Sequence, residues 1–205
     1  NNQIRFNFSI RFIYTPIKPY FCCLMHKVLK MLKAGGLLLS PTDTIWGILC
    51  DASNPKAVEK VYDLKKRADS KALVCIVSDI EMLKKHIGEL PPKLDHYIND
   101  QRPTTVIYNN PIGLAQNAIA QENTIAIRIV NHHFCTPLIR EFGKPLISTS
   151  ANISGAPHPS KYADIDAEII SGVDHIVEID INKINPQPSR IIKIEPSGEI
   201  SLLRS

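Results

Sequence analysis

The chain has 205 residues, 44% of them hydrophobic and 21% charged, which supports one sizeable core and an ordinary globular domain. No run of about 18 apolar residues occurs, so no transmembrane helix is expected. The net charge of +4 comes from one end: Arg5, Arg11, Lys18, Lys27, Lys30 and Lys33 all precede Asp43, the first acidic residue. The rest is close to neutral, which is weak support for nucleic-acid binding by the whole domain.

In chain order, residues 1–24 look foreign to the remainder of the chain. They hold Phe6, Phe8, Phe12, Tyr14, Tyr20 and Phe21, and Pro16 and Pro19 interrupt any apolar helix. Met25 is well placed as a start, so residues 1–24 are expected to be an extension outside the fold and 25–205 the single domain. A short helix is expected over 26–33, stopped by Gly35-Gly36. Leu37 to Leu39 reads as a buried strand that Pro41 ends. Next comes Ser40-Pro-Thr-Asp-Thr-Ile-Trp-Gly47, in which two hydroxyls and a carboxylate follow Pro41 off a buried strand. That is either part of a polar-ligand site or a Thr/Asp-rich turn. Gly47 permits a tight turn or a close backbone approach.

Asn54-Pro55 begins a helix with an N-cap and a proline at its first position. It ends in Lys65-Lys66-Arg67, with Lys71 beyond. Strands are expected at 72–77, 104–108, 124–130 and 145–147, and helices at 79–87, 91–99, 132–142 and 162–170. Short strands near 175–179, 189–194 and 199–203 close the chain. Strands alternating with helices imply an α/β fold: an open, twisted, mixed sheet with flanking helices.

Cys50 and Cys75 sit in apolar runs and read as small core residues. With Cys22, Cys23 and Cys135 the count is odd, no Cys-x-x-Cys occurs, and His132-His133-x-Cys135 lacks zinc-site spacing, so no protein-bound metal is expected. Cysteine usage of this kind points to a reducing, cytoplasmic setting. The seven histidines show no nucleophile pairing and read mostly as surface residues, and nothing suggests a covalent intermediate. There is no P-loop and no G-x-G-x-x-G. A phosphate ligand would need side-chain cations, which Lys65, Arg67 and Lys71 offer, although cations also suit a helix C-terminus. Arg128 is sharper. It interrupts the strand run Thr124-Ile-Ala-Ile-Arg-Ile-Val, and a partly buried guanidinium needs an anionic partner, either protein or ligand. Ser148-Thr-Ser-Ala-Asn-Ile-Ser-Gly155 is a second hydroxyl-rich stretch directly after an apolar strand.

Pro41-Thr-Asp-Thr-Ile-Trp-Gly47, Lys65-x-Arg67 with Lys71, Thr124-x-x-x-Arg128, Ser148-Thr-Ser-Ala-Asn-x-Ser-Gly155 and Pro188-Ser189 occur in that order. The set resembles the YrdC-like threonylcarbamoyl-AMP synthases in their short, single-domain form, and covers the chain from about Lys27 to Arg204. The resemblance implies a concave, positively charged cleft and a nucleotidyltransferase. Such an enzyme makes threonylcarbamoyl-AMP and pyrophosphate from L-threonine, bicarbonate or CO2, and ATP with Mg²⁺. Its product would pass to a tRNA threonylcarbamoyl transferase complex, with room for weak tRNA binding and no membrane contact. By the same resemblance Thr44, Arg128, Ser148 and Ser189 would contact threonine, Arg128 through its carboxylate. Lys65, Arg67, Lys71, Thr124, Ser150, Asn152 and Arg204 would contact ATP, and no residue would act as a covalent catalyst. Departures are Trp46 for the usual Tyr, Ala72 for Pro, the reduced Gln101-Arg-Pro-Thr-Thr105, and Arg190, a charge beside the threonine pocket. The competing reading is an RNA-binding module with the same basic concave surface and no chemistry.

Overall fold

The structure is a computed structural model that describes residues 19–67, 73–184, 187–195 and 197–205. Its framework is one nine-stranded mixed sheet in the order β7-β1-β2-β6-β3-β5-β4-β8-β9 among the described residues. The strands are β1 (Leu38–Ser40), β2 (Gly47–Asp51), β3 (Val74–Val77), β4 (Thr104–Asn109), β5 (Thr124–Ile129), β6 (Leu146–Ser150), β7 (His175–Ile176), β8 (Arg190–Ile194) and β9 (Ile200–Arg204). The sheet is open, and β3 with β5, β4 with β8 and β1 with β7 are its parallel pairs. The expected α/β class holds.

The helices are α1 (Pro19–Lys33), α2 (Pro55–Lys65), α3 (Ile80–Ile87), α4 (Asp95–Ile98), α5 (Cys135–Phe142) and α6 (Ala167–Gly172). Local chemistry sets their ends. Asn54 caps α2 by accepting from the Lys56 and Ala57 amides, and Lys66 ends it with φ 50°. Asp79 caps α3 through the Met82 amide. Gly143 takes the left-handed conformation that stops α5 (φ 76°), which a Cβ would strain.

Strand alternation sorts the sheet into two faces. Leu39, Ile48, Cys50, Cys75, Val77, Val106, Tyr108, Ile127 and Ile147 point to one face, where Val58 and Val61 of α2, Leu83 of α3 and Ile169 of α6 cover them. Leu38, Leu49, Ile76 and Leu146 point to the other, under Val28 and Leu32 of α1 and Leu138 and Ile139 of α5. A fully buried side chain of this kind contributes about 1.5–3 kcal/mol. The second cover extends over only half of the sheet. The β5-β4-β8-β9 half keeps an open face there, and the site lies on it. Among the described residues no helix is long and apolar enough to cross a membrane.

Several expectations are corrected. The helix expected over 26–33 begins at Pro19, because proline suits a first helical turn as well as it breaks an interior. Residues 19–24, assigned to an extension, are therefore part of α1. Leu24 and Met25 are buried, and the Phe21 ring meets Phe134 edge-on at 6.0 Å. Residues 1–18 lie outside the described residues. Strand β2 has no counterpart among the expected strands, and the helix expected over 91–99 is a 3₁₀ turn at Pro92–Leu94 followed by α4. The helix expected over 162–170 likewise divides into a 3₁₀ turn at Tyr162–Asp164 and α6.

Candidate functional site

Two clefts lie on opposite faces of the sheet. On the open face a cleft of about 350 Å³ is lined by Thr44, Arg67, Arg128, Ser148, Ser150, Ser189 and Arg204, among other residues. Alternation brings these groups together. Ser148 and Ser150 share a face of β6 with Leu146, beyond the reach of α1 and α5. Arg128 stands beside Ile76 in the β3–β5 register, one step past the α1/α5 core.

The Pro41–Trp46 turn joins β1 to β2 and holds itself in shape. The Thr42 hydroxyl donates to the Ile45 carbonyl at 2.7 Å and accepts from the Thr44 amide at 3.1 Å. This turn chemistry presents Thr44 to the cleft, so both readings of the motif meet in one structure. Gly47 is a close approach: a Cβ there would lie 3.0 Å from Ser148 Oγ. Trp46 is buried, with its ring centroid 5.2 Å from that of Tyr162.

Arg128 Nη2 donates to Asp43 Oδ1 at 3.0 Å, with both side chains almost wholly buried (6% and 7% exposed). The other carboxylate oxygen of Asp43 accepts from the Asn131 amide at 3.3 Å. Arg128 Nε is buried without a hydrogen-bond partner. Arg204 donates through Nε and Nη2 to the Ser189 carbonyl, and the Ser189 hydroxyl lies 2.7 Å from that of the fully buried Thr105. Burial, and then the charge of Arg128, push the Arg204 pKa down. Arg67 is also pushed down, by burial. No carboxylate lines this cleft among the described residues, so its three guanidiniums are set to receive anions.

Three expected contacts sit differently. Lys65 does not line the cleft. It is 2% exposed, and its ammonium donates to the Ser150 and Asn152 carbonyls and to Asn152 Oδ1. Burial, then Arg67, bring its pKa down to about 8; three filled donors keep it charged at neutral pH. Asn152 completes that anchor, with Nδ2 donating to the Ala156 carbonyl at 2.6 Å. Both residues shape the loop after β6. Thr124 opens β5 opposite Asn109 and lines neither cleft. Lys71 and Ala72 lie outside the described residues. Arg190 alternates away from Ser189 to the other face, where it bonds Asp100 at 2.9 Å and stacks over Tyr97, so it does not line the open-face cleft.

His158 lines the cleft without having been anticipated; a single histidine in a loop carries no local signal. The pairing of Asp43 with Arg128 spans 85 residues, and no spacing rule reveals it.

The opposite cleft, of about 590 Å³, has Leu83, Tyr97, Tyr108 and Ile127 among its lining, together with Asp43, His132 and His133. His132 is buried, contrary to the surface expectation. The ligand atoms of His132, His133 and Asp180 lie within 4.8 Å of one another. This trio does not suit a cation. His132 Nδ1 accepts from the Phe134 and Cys135 amides at the start of α5. That places the ring proton on Nε2, 3.5 Å from Asp180 Oδ2, where a metal would need a lone pair.

The Sua5/YciO/YrdC family model, described as "Telomere recombination", matches residues 30–205. A Methanocaldococcus jannaschii protein, provisionally named a threonylcarbamoyl-AMP synthase, is 37% identical over 184 residues, covering 86% of this chain and 84% of its own. The threonylcarbamoyl-AMP synthase of Pseudoalteromonas translucida is 32% identical over 166 residues, 78% of this chain and 87% of its own. Among solved structures, P. abyssi Sua5 complexed with L-threonine aligns with a TM-score of 0.76 at 21% identity, over 88% of this chain and 53% of that one. E. coli YciO aligns at 0.77 and 18% identity, over 89% of each chain. At these identities the structures speak for the fold, and this chain spans about half the length of the Sua5 chain.

Proposed function

Since the chain belongs to the Sua5/YciO/YrdC family, we propose that it is a threonylcarbamoyl-AMP synthase whose reaction takes place in the open-face cleft. The observation that carries this reading is the gathering of Arg67, Arg128 and Arg204 with the hydroxyl residues Thr44, Ser148, Ser150 and Ser189 around one cavity that, among the described residues, no carboxylate lines. Threonine brings a carboxylate and ATP a triphosphate, and such a cavity answers both.

In this reading the guanidinium of Arg128 takes the threonine carboxylate, and Thr44, Ser148 and Ser189 orient the amino acid. Arg67, Arg204 and Ser150 hold the nucleotide phosphates. Lys65 and Asn152 keep the roles of loop anchors. The threonine amine attacks the carbon of CO2, losing a proton, or that of bicarbonate, with loss of water. One oxygen of the resulting carbamate attacks the α-phosphorus, and the bond to the leaving pyrophosphate breaks. Every nucleophile comes from a substrate, so the protein contributes position and charge neutralisation. Mg²⁺ fits as a companion of the phosphates rather than a resident ion. The cleft offers hydroxyls and no carboxylate among the described residues, and Mg²⁺ commonly binds through substrate phosphates and waters. A separate tRNA-modifying transferase would consume the adenylate.

An RNA-binding module without chemistry would want exposed aromatics to stack on bases. Trp46, the one Phe, Tyr or Trp residue among the described cleft-lining residues, is buried instead. The test is pyrophosphate release with ATP, Mg²⁺ and bicarbonate, with and without L-threonine. Release that depends on threonine is expected. Folded protein that releases none, or releases it equally without threonine, defeats the proposal.

A further inference from the structure

We propose that Asp43 is an internal counter-carboxylate that sets how tightly Arg128 takes an incoming carboxylate. The inference rests on the assignment of that incoming group to threonine.

Three observations separate this pair from a purely structural ion pair. First, its geometry is one-sided. Asp43 engages Arg128 through a single oxygen on a single nitrogen and gives its second oxygen to the Asn131 amide. A structural Arg–carboxylate pair commonly closes as a two-bond fork, whereas here Nε stays buried and unpartnered. Second, the pair lies between the two clefts. Asp43 lines the one of about 590 Å³ and Arg128 the one of about 350 Å³. The carboxylate therefore meets the guanidinium at Nη2 from the side of the larger cleft and leaves Nε without a partner. Third, the turn that carries Asp43 has a brace of its own in the hydrogen bonds of the Thr42 hydroxyl to the Ile45 carbonyl and the Thr44 amide.

An incoming carboxylate then shares one guanidinium with Asp43, and two like charges in a buried setting repel each other. Asp43 compensates the buried cation when the site is empty and weakens the hold when it is full. Its removal should destabilise the empty protein and tighten threonine binding, since the ligand becomes the partner that Arg128 lacks. The arrangement favours release of a product that still carries the threonine carboxylate.

The test measures KM for threonine and for ATP by pyrophosphate release, together with the Tm rise caused by threonine. Wild type is compared with Asp43→Asn, Asp43→Ser and Asp43→Glu. The two uncharged variants are expected to melt lower when empty, to show a threonine KM about tenfold lower and a larger threonine-induced Tm rise, and to keep the ATP KM within about twofold. Asp43→Glu retains the charge and should hold the threonine KM at or above the wild-type value. An unchanged or raised threonine KM in both uncharged variants overturns the proposal, and so does a fall in Asp43→Glu. Arg128→Lys separates the two claims. If it leaves the threonine KM unaltered, the carboxylate assignment itself is wrong. If it raises that KM while Asp43→Asn and Asp43→Ser do not lower it, only the role given to Asp43 fails.

Discussion

Replacing Arg128 with alanine is expected to raise the threonine KM at least thirtyfold, with a much smaller change for ATP. Truncating one member of a buried, hydrogen-bonded charge pair costs roughly 2–5 kcal/mol, and about 1.4 kcal/mol corresponds to tenfold. The side chain is 6% exposed and keeps one donor without a partner, so little of the effect is lost to solvent screening. Alanine also strands Asp43, which is 7% exposed, and the protein should melt lower. Arg128→Lys isolates the binding role. It restores a cation beside Asp43 and recovers stability, but an ammonium cannot serve two carboxylates as a planar fork does. Threonine affinity should therefore remain poor in the lysine variant. Steady-state kinetics with each substrate varied in turn, beside thermal melts, checks both parts. A larger loss for ATP than for threonine would reverse the assignment.

Lys65→Met should be the most damaging change away from the cleft wall. Methionine keeps much of the apolar stem but removes three donors, leaving the carbonyls of Ser150 and Asn152 without that partner in a buried setting. Each buried acceptor left unmade costs about 1–3 kcal/mol, so a loss of about 2–4 kcal/mol is expected in urea unfolding. The loop after β6 also loses its anchor, and the ATP KM should rise. A pH signature accompanies the stability change. The folded pKa of Lys65, about 8, lies below its ordinary 10.5. Between those values the unfolded chain binds the proton and the folded chain does not, so this group makes stability rise with pH across that window. Below about 8 both states are protonated, and its contribution is flat. The methionine variant should lack this rise. An identical pH profile in wild type and Lys65→Met would contradict the burial argument.

Strands covered on both faces were mostly legible in the sequence, because β3, the start of β6 and most of β5 are apolar runs. The strand β2 was lost because Gly47 reads as a turn and Asp51 as an end, although both pair within the sheet. The same cause hid the second half of β6. Ser148, Thr149 and Ser150 read as a loop after the strand, yet they are strand, since this end of β6 lines the cleft and polar side chains are tolerated there. Most of the polar cleft-lining residues were legible through the order of the motifs. Their division of labour was not. Lys65 and Arg67 are two residues apart, but one faces inward as an anchor and the other lines the cleft, a difference made by the left-handed turn at Lys66. Arg190 was placed by a family position, while strand alternation assigns it to the opposite face.

Joining threonine, a one-carbon unit and AMP into one molecule is the chemistry proposed for this cavity. The experiment that addresses it head-on supplies L-threonine, ATP, Mg²⁺ and carbon-labelled bicarbonate, then separates the nucleotides and identifies them by mass. A labelled adenylate is expected only when threonine is present, accompanied by an equal amount of pyrophosphate. An adenylate without the label, or the same yield when threonine is omitted, would contradict the assignment.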